Sequence, residues 1–296
     1  VIENQKTKRM NLPFYIVDVF AEKKYAGNQL AVFLDAESLS EQQMQKIARE
    51  INFAESTFIT KLEPENKAAE IRIFTADHEM QFAGHPIIGT SWVLMHKIFE
   101  NKPKKIMLSV PIGEIPVHQS EDLVWLQAAQ PEFLDTFSAG DFLSFSTLSN
   151  ADFDDYFPIQ EVTTGSAFVI VPVKSKKALE HLFLDKDKMR EWMLVHCKTD
   201  HRALYFYCLE EKNLTSRMFC IEDNQLIEDA ATGSASTCLQ AFLLKYFSPE
   251  IHIINHQGDF INRSSQIYFD GKLKNDHFDI KIGGKTQFIA KGNWEV

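Results

Sequence analysis

The sequence predicts an α/β protein of the α+β type, made of two copies of one unit, each with a buried helix among strands. Three observations carry this expectation. Residues 82–91 (FAGHPIIGTS) are echoed by residues 228–236 (EDAATGSAS). In each, a polar side chain able to do chemistry (His85, Asp229) stands ahead of a run of apolar and small residues. A glycine lies four residues on (Gly89, Gly233), followed by a hydroxyl (Thr90, Ser234). The spacing repeats as well: RIFT begins at Arg72 and RMFC at Arg217, 145 apart (217 − 72), and Asp229 follows His85 by 144 (229 − 85). Upstream, helix patterns opening at Ser40 and Asp185 also lie 145 apart (185 − 40), so each half reads helix, strand, strand, buried helix. Agreement of element order with a constant offset is the mark of an internal repeat.

Residues 14–20 (FYIVDVF) are a β-prone run, and a loop with turn chemistry at Gly27-Asn28 leads to a strand over 30–34. Ser40 with Gln43 makes a capping box, and Met44, Ile47, Ala48 and Ile51 then share one helical face up to about Asn52. Glu55 opens the next strand, between Ala54 and Phe58. After a strand over 69–75, Pro86 suits a first helical position and sets the first buried helix at 86–97. Strands follow over 105–110, 114–118 and 123–127. Residues 131–157 mix Phe with Asp and Ser and read as short helices bridging the halves. A strand over 167–173, helical periodicity over 175–183 and 185–197, and strands over 203–209 and 217–221 come next. The second buried helix, 231–247, is apolar on more than one face. Residues 251–295 alternate strand patterns with turns. The boundary between the halves falls within 119–131: a first lobe spans 10–122, with 285–296 a candidate strand to complete it, and a second spans 123–284.

At 296 residues with 45% hydrophobic and 24% charged side chains, the composition is that of an ordinary globular protein. The 24 phenylalanines favour well-filled cores. A net charge of −10 argues against nucleic acid or an anionic membrane as partner. An anionic small molecule then needs a locally positive pocket, which helix N-termini supply. The four cysteines (Cys197, Cys208, Cys220, Cys238) lack C-x-x-C spacing and read as reduced, buried thiols of a cytoplasmic protein. No apolar run reaches membrane-span length, and residues 1–11 lack a signal-peptide core, with Met10 reading as a native start behind added residues.

Each candidate residue has a plain alternative. Glu55 is either a strand-edge carboxylate or, held against Phe side chains, an acid/base of raised pKa. His85 in Gly-His-Pro at a helix start is an unusual place for a structural histidine. Asp229 competes with a role as helix N-cap. Gly84 permits close approach to the backbone, while Gly233 and Ser234 serve either substrate contact or tight helix packing. His78 and His96 read as surface positions. His252 and His256 lie on a strand without a third ligand, so no metal is expected, and no Walker or G-x-G-x-x-G loop points to a nucleotide or flavin cofactor.

Taken together, DVFAEKKYAGNQLAVFL, INFAESTFI, RIFTADHEMQFAGHPIIGT and EDAATGSAS closely resemble, in order and spacing, the PhzF-like family (phenazine biosynthesis protein F and relatives), from Leu12 to the C-terminus. The resemblance implies the diaminopimelate-epimerase fold: two pseudo-symmetric domains, each a curved mixed sheet around a central helix, with the active site in the cleft between them. It implies that Glu55 transfers protons, that His85 and Asp229 are its catalytic partners, and that Gly84, Gly233 and Ser234 bind substrate. It further implies a homodimer without cofactor. Gln29 and Ala230 stand where the family has proline, which bears on loop rigidity and substrate identity. No cysteine begins either helix, and aligning the halves sets Arg202 opposite Glu55, so a proton shift across one face is expected over thiol-based inversion. The expected function is a cofactor-independent isomerase of a small carboxylate-bearing molecule. A strict epimerase or racemase, and a non-catalytic binding protein keeping the cleft, are the alternatives.

Overall fold

The computed structural model describes residues 11–197, 203–222 and 224–296; the expectations about Met10 and Arg202 lie outside them. In the first half, β1 (Asn11–Val19) pairs antiparallel with β2 (Asn28–Phe33). Helix α1 (Glu41–Ile51) then crosses to β3 (Glu55–Glu63), which lies parallel to β2. β3 turns into β4 (Ala68–Phe74), and the two-residue β5 (Glu79–Met80) folds back on β4. The second crossover is α2 (Gly84–Val93), delivering β6 (Lys105–Val110) parallel to β4; β7 (Gly113–Ser120) and β8 (Leu123–Gln127) follow as a meander.

The chain next runs through β9 (Glu132–Phe137) and the short α3 (Ala139–Phe142) and repeats the plan. β10 (Ile159–Thr163) pairs antiparallel with β11 (Ala167–Pro172). A crossover holding α4 (Lys176–Glu180) and α5 (Lys186–His196) leads to β12 (Ala203–Glu210), parallel to β11. β13 (Asn213–Glu222) and β14 (Gln225–Asp229) form a hairpin, and α6 (Gly233–Tyr246) crosses to β15 (Glu250–Gln257), parallel to β13. β16 (Ser265–Lys274) and β17 (His277–Gly284) complete the second meander. β8 and β17 pair antiparallel, joining both halves into one sheet of 18 strands among the described residues. The ends are exchanged: β9 pairs with β10 of the second half, and β18 (Thr286–Glu295) returns to pair with β1. Residues 121–122 are the turn of the β7–β8 hairpin, whose strands pair with each other, so a division into lobes 10–122 and 123–284 remains a proposal drawn from the repeat.

Each central helix is enclosed. In α2, Gly84 to Ser91 are all buried, and in α6 every residue from Ala235 to Leu244 is buried. A helix with no solvent face carries no polar stripe, which is why both read as apolar all round. The outer faces of the two halves of the sheet are covered separately. On the first, α1 lays Met44, Ile47 and Ala48 over Phe33, Phe58 and Phe74, with Phe33 and Phe58 stacked at 4.9 Å. On the second, α4 and α5 cover Phe206 and Phe219 together with Phe142, Phe145 and Phe153. A Phe→Ala change at such a site typically costs about 3–5 kcal/mol.

Several boundaries differ from expectation. The first buried helix begins at Gly84, so Pro86 is its third residue, and beyond Val93 it widens into a π-helical turn over Leu94–Ile98. The third N–H of a helix is still without an internal partner, so proline is tolerated there too. Residues 131–157 hold the expected short helices, α3 and a 3-10 turn over Asn150–Asp152, but begin with β9, an edge strand whose half-exposed pattern gives no period-two signal, and the phenylalanines after it fill the second half's outer core. His96 is half-buried and stacks on Trp92 instead of lying free on the surface.

Candidate active site

The repeat is anchored by one matched ion pair in each half. Arg72 on β4 grips Glu79 on β5, at 2.6 and 2.5 Å, and Arg217 on β13 grips Glu228 on β14, at 2.9 and 2.6 Å. Bidentate pairing of this kind fixes orientation as well as distance. Each pair holds a short hairpin beside the start of a central helix. The two starts touch: a Cβ on Gly84 would lie 3.0 Å from the Cα of Gly233. Gly84 therefore admits the facing helix, a closer approach than the ligand contact expected for it.

Three of the expected residues meet at this contact. Glu55 is the first residue of β3, His85 the second of α2, and Asp229 the last of β14. His85 Nδ1 lies 3.4 Å from Glu55 Oε2. Asn28, at the start of β2, bridges the remainder: its Nδ2 donates to Asp229 Oδ1 at 2.7 Å and to the Ala231 carbonyl at 3.0 Å, and lies 3.5 Å from His85 Nδ1. Asp229 is no N-cap. Thr232 holds that position on α6, and the Thr232 hydroxyl donates to Asp229 Oδ2 at 2.5 Å. Behind it, Gln257 Nε2 donates to the Asp229 carbonyl and to Thr232 Oγ1, and Tyr205 donates to Gln257 Oε1.

A cavity of about 380 Å³ opens here between the halves, lined by Glu55, Thr75, His78, Glu222, Asp229 and Ser234 among others. His78, exposed as expected, also lines the cleft. No lysine or arginine is among the described residues that line it. Neither Ala83 nor Thr232, the N-caps of α2 and α6, makes a side-chain cap hydrogen bond, and both line the cavity with Ser234. A wider depression along β15 and β16, lined by Trp125, His252 and Asp270, contains none of these groups.

Burial governs the electrostatics. Glu55 is pushed well above the usual carboxylate range by burial, then by the charges of Asp229 and Glu222. Burial also raises Asp229, opposed by the hydrogen bonds from Thr232 and Asn28. Burial drives His85 down to about 3, only partly opposed by the Gln29 backbone, so its imidazole is neutral. With the imidazole neutral, the 3.4 Å approach of Nδ1 to Glu55 Oε2 is a polar contact and not an ion pair. Glu222 is pushed to about 6 by burial and by Asp229 and Asp77, and burial raises the Cys220 thiol beside it well above its ordinary value.

Asn28, Glu222 and Thr232 were not singled out as site residues from sequence. Residue alternation was the available signal for Glu222: Met218, Cys220 and Glu222 share one face of β13 and all three line the cavity. Among the described residues no group of three or more His, Cys, Asp or Glu is arranged to hold a metal ion, and no helix is long and apolar enough to cross a membrane.

The profile of the family described as phenazine biosynthesis-like protein matches residues 17–292. Trans-2,3-dihydro-3-hydroxyanthranilate isomerase of Pseudomonas aeruginosa is 31% identical, covering 94% of this chain and 98% of the relative. An uncharacterized isomerase of Pasteurella multocida is 29% identical over 95% of this chain and 96% of its own length. A crystal structure of a PhzF-family phenazine biosynthesis protein from Bacillus anthracis superposes with a TM-score of 0.85 at 24% identity, over 97% of this chain and 100% of that one; at this identity it speaks for the fold. The sheet wrapped twice around a central helix is the diaminopimelate-epimerase-like fold. The chain belongs to the phenazine biosynthesis-like protein family and is an isomerase of that family.

Proposed function

We propose that this isomerase shifts a proton on a small carboxylate-bearing metabolite by acid/base chemistry in the cleft, without a cofactor. The observation that carries the reading is the meeting of Glu55, His85 and Asp229 where two uncapped helix starts touch. The substrate carboxylate takes the N–H groups near Gly84 and Gly233–Ser234. Ionised Glu55 then removes a proton from carbon, and the C–H electron pair moves into the neighbouring unsaturated system as an enolate-like anion. Donors aimed at that developing charge are typically worth about 3–4 kcal/mol each. Protonated Glu55 returns the proton at another carbon, so atoms and electrons balance with no redox partner. Neutral His85 assists as a hydrogen-bond donor or second acid, and Asp229 orients the site or holds a substrate amine.

The reaction named for the Pseudomonas relatives supplies the first molecule to test, since a dihydro-hydroxyanthranilate carries a carboxylate, an amine and a ring of double bonds. Glu55→Gln should abolish substrate-dependent C–H exchange in deuterium oxide while leaving the folded spectrum intact. Full exchange in that variant would remove Glu55 from the mechanism. A second reading, strict epimerisation, is favoured by one observation: Glu222 faces the cleft from the other half with a pKa near 6, as a second base would. Deuterium incorporation with inverted configuration and unmoved double bonds, lost in Glu222→Gln, is its signature. A cytoplasmic location follows from the free thiols, and a homodimer from the family resemblance; both belong to this proposal.

A further inference from the structure

Asn28, which bridges Asp229 and His85, is delivered by a loop with no regular structure of its own. What holds that loop is a guanidinium from the other end of the chain. Arg263 Nη2 donates to Asp18 Oδ1 at 2.8 Å and to the Ala26 carbonyl at 3.0 Å, and its Nε donates to the Gly27 carbonyl at 2.9 Å. The other oxygen of Asp18, which is almost fully buried, accepts from the Tyr25 N–H at 2.7 Å. Backbone bonds complete the clamp: Gly27 N–H to the Ser264 carbonyl at 3.0 Å and Gln266 N–H to the Phe20 carbonyl at 2.9 Å. Gly27 has φ +69°, and a Cβ there would lie 2.3 Å from the Val19 carbonyl oxygen, so the loop closes only with glycine.

The same segment also touches Ala230, the residue after Asp229. Ser265 Oγ donates to the Ala230 carbonyl at 2.8 Å, and a Cβ on Gly258 would meet that carbonyl oxygen at 2.6 Å. Residues 258–265 therefore touch both the loop that ends in Asn28 and the turn that follows Asp229. We propose that Arg263 is a positioning residue: through Ala26 and Gly27 it fixes Asn28 in register with Asp229, tying the two halves of the site together. Arginine suits the task because its planar donors reach one carboxylate and two carbonyls at once, which the single ammonium of lysine cannot reproduce. The inference rests on the reading of Asp229 as a working group of the cleft, but its test does not use turnover.

The readout is the protonation midpoint of Asp229, followed by carbon-13 NMR of aspartate-labelled protein, with Asp229→Asn assigning the resonance. The other charges facing Asp229 are Glu55 and Glu222, which every variant leaves in place. Arg263→Lys keeps the positive charge opposite Asp18 and loses the reach to Ala26 and Gly27. It should raise the Asp229 midpoint by about 0.5–1 pH unit, about three- to tenfold in proton affinity, because the Asn28 hydrogen bond is loosened. Asn28→Ala should raise it at least as far, and the double variant no further than Asn28→Ala alone, since both act through one bond. An unchanged midpoint in Arg263→Lys, or shifts that add in the double variant, would overturn the proposal. A lowered melting temperature without a midpoint shift would overturn it too, reducing Arg263 to a structural role. If Arg263→Lys does not fold, Asp18→Asn serves instead. Losing a carboxylate should by charge alone lower the Asp229 midpoint, so a rise there can come only through the loop, and a fall would count against the idea. Retained C–H exchange in Glu55→Gln would sink the proposed reaction while leaving this result untouched.

Discussion

Substituting Gly84 by alanine tests the contact on which the site is built. The new Cβ would lie 3.0 Å from Gly233 Cα, 3.1 Å from Gly233 C and 3.2 Å from Ser234 N. Carbon atoms prefer about 3.5–4.0 Å, so the deficit is about half an ångström against three backbone atoms that have no rotamer to escape into. The two helix starts must separate by about that amount. Overpacking of this kind costs about 1–3 kcal/mol, offset by up to about 1 kcal/mol because alanine favours helix more than glycine does. The net loss of about 1–2 kcal/mol corresponds to a melting temperature lower by roughly 2–6 °C for a chain this long. Function should suffer more than stability. If a 1 Å misplacement costs about a hundredfold, half that displacement of the N–H groups costs roughly tenfold. The assay is calorimetric titration with anthranilate, a carboxylate that cannot react, alongside thermal unfolding. Gly89→Ala is the control. Its Cβ would meet Leu30 Cδ2 and Val19 Cγ2 at 2.6 Å inside the core, so it should lower the melting temperature without weakening anthranilate. Wild-type melting and wild-type affinity in Gly84→Ala would refute the facing-helix account of the anion site.

Glu222→Gln should stabilise the protein at pH 8 and leave it unchanged near pH 4. The folded-state pKa near 6 exceeds the ordinary 4.5, so wild type loses stability as pH rises from about 4.5 through 6; the shift of 1.5 (6 − 4.5) corresponds to about 2 kcal/mol at most, and to about 1 kcal/mol after screening at a part-exposed site. Urea titrations at the two pH values read the difference. The same substitution removes a charge that raises Glu55, so the acidic limb of the pH–rate profile should move to lower pH. The matched ion pairs should prove unequal. Arg217 and Glu228 are 9% and 11% exposed, and Arg217 also holds the Leu179 and Leu182 carbonyls, so Arg217→Met should cost about 3–5 kcal/mol. Arg72 and Glu79, at 26% and 20%, face more water, and Arg72→Met should cost about 1 kcal/mol or less in the same denaturation measurement.

The elements legible in advance are those whose signal is local. The capping box of Ser40 and Gln43 is present as read, and α5 starts behind the Asp185 cap. The strands over 105–127 fall within a residue or two of their expected places. β5, β9, β10 and β14 were missed because they are short or are paired by neighbours far away in sequence. β14 exists because β13 is beside it and Arg217 holds Glu228 from across the hairpin. The N-cap reading of Asp229 failed for a related reason: an aspartate four residues ahead of a helix looks alike whether it caps the helix or ends a strand.

By itself the sequence determined the duplication, the two enclosed helices and the identity of Glu55, His85 and Asp229 as residues worth following, because a repeat, a hydrophobic period and a motif are all properties of residue order. Tertiary structure alone decided that these three side chains converge and that Glu222 lines the cleft with Glu55 and Asp229. It alone decided that Asn28 is the bridge and that Arg263, some 235 positions further along (263 − 28), keeps the bridge in place. The physical reason is that a crossover connection and an exchanged end strand bring distant segments within hydrogen-bonding range, and hydrogen bonds act over about 3 Å whatever the length of chain between the partners.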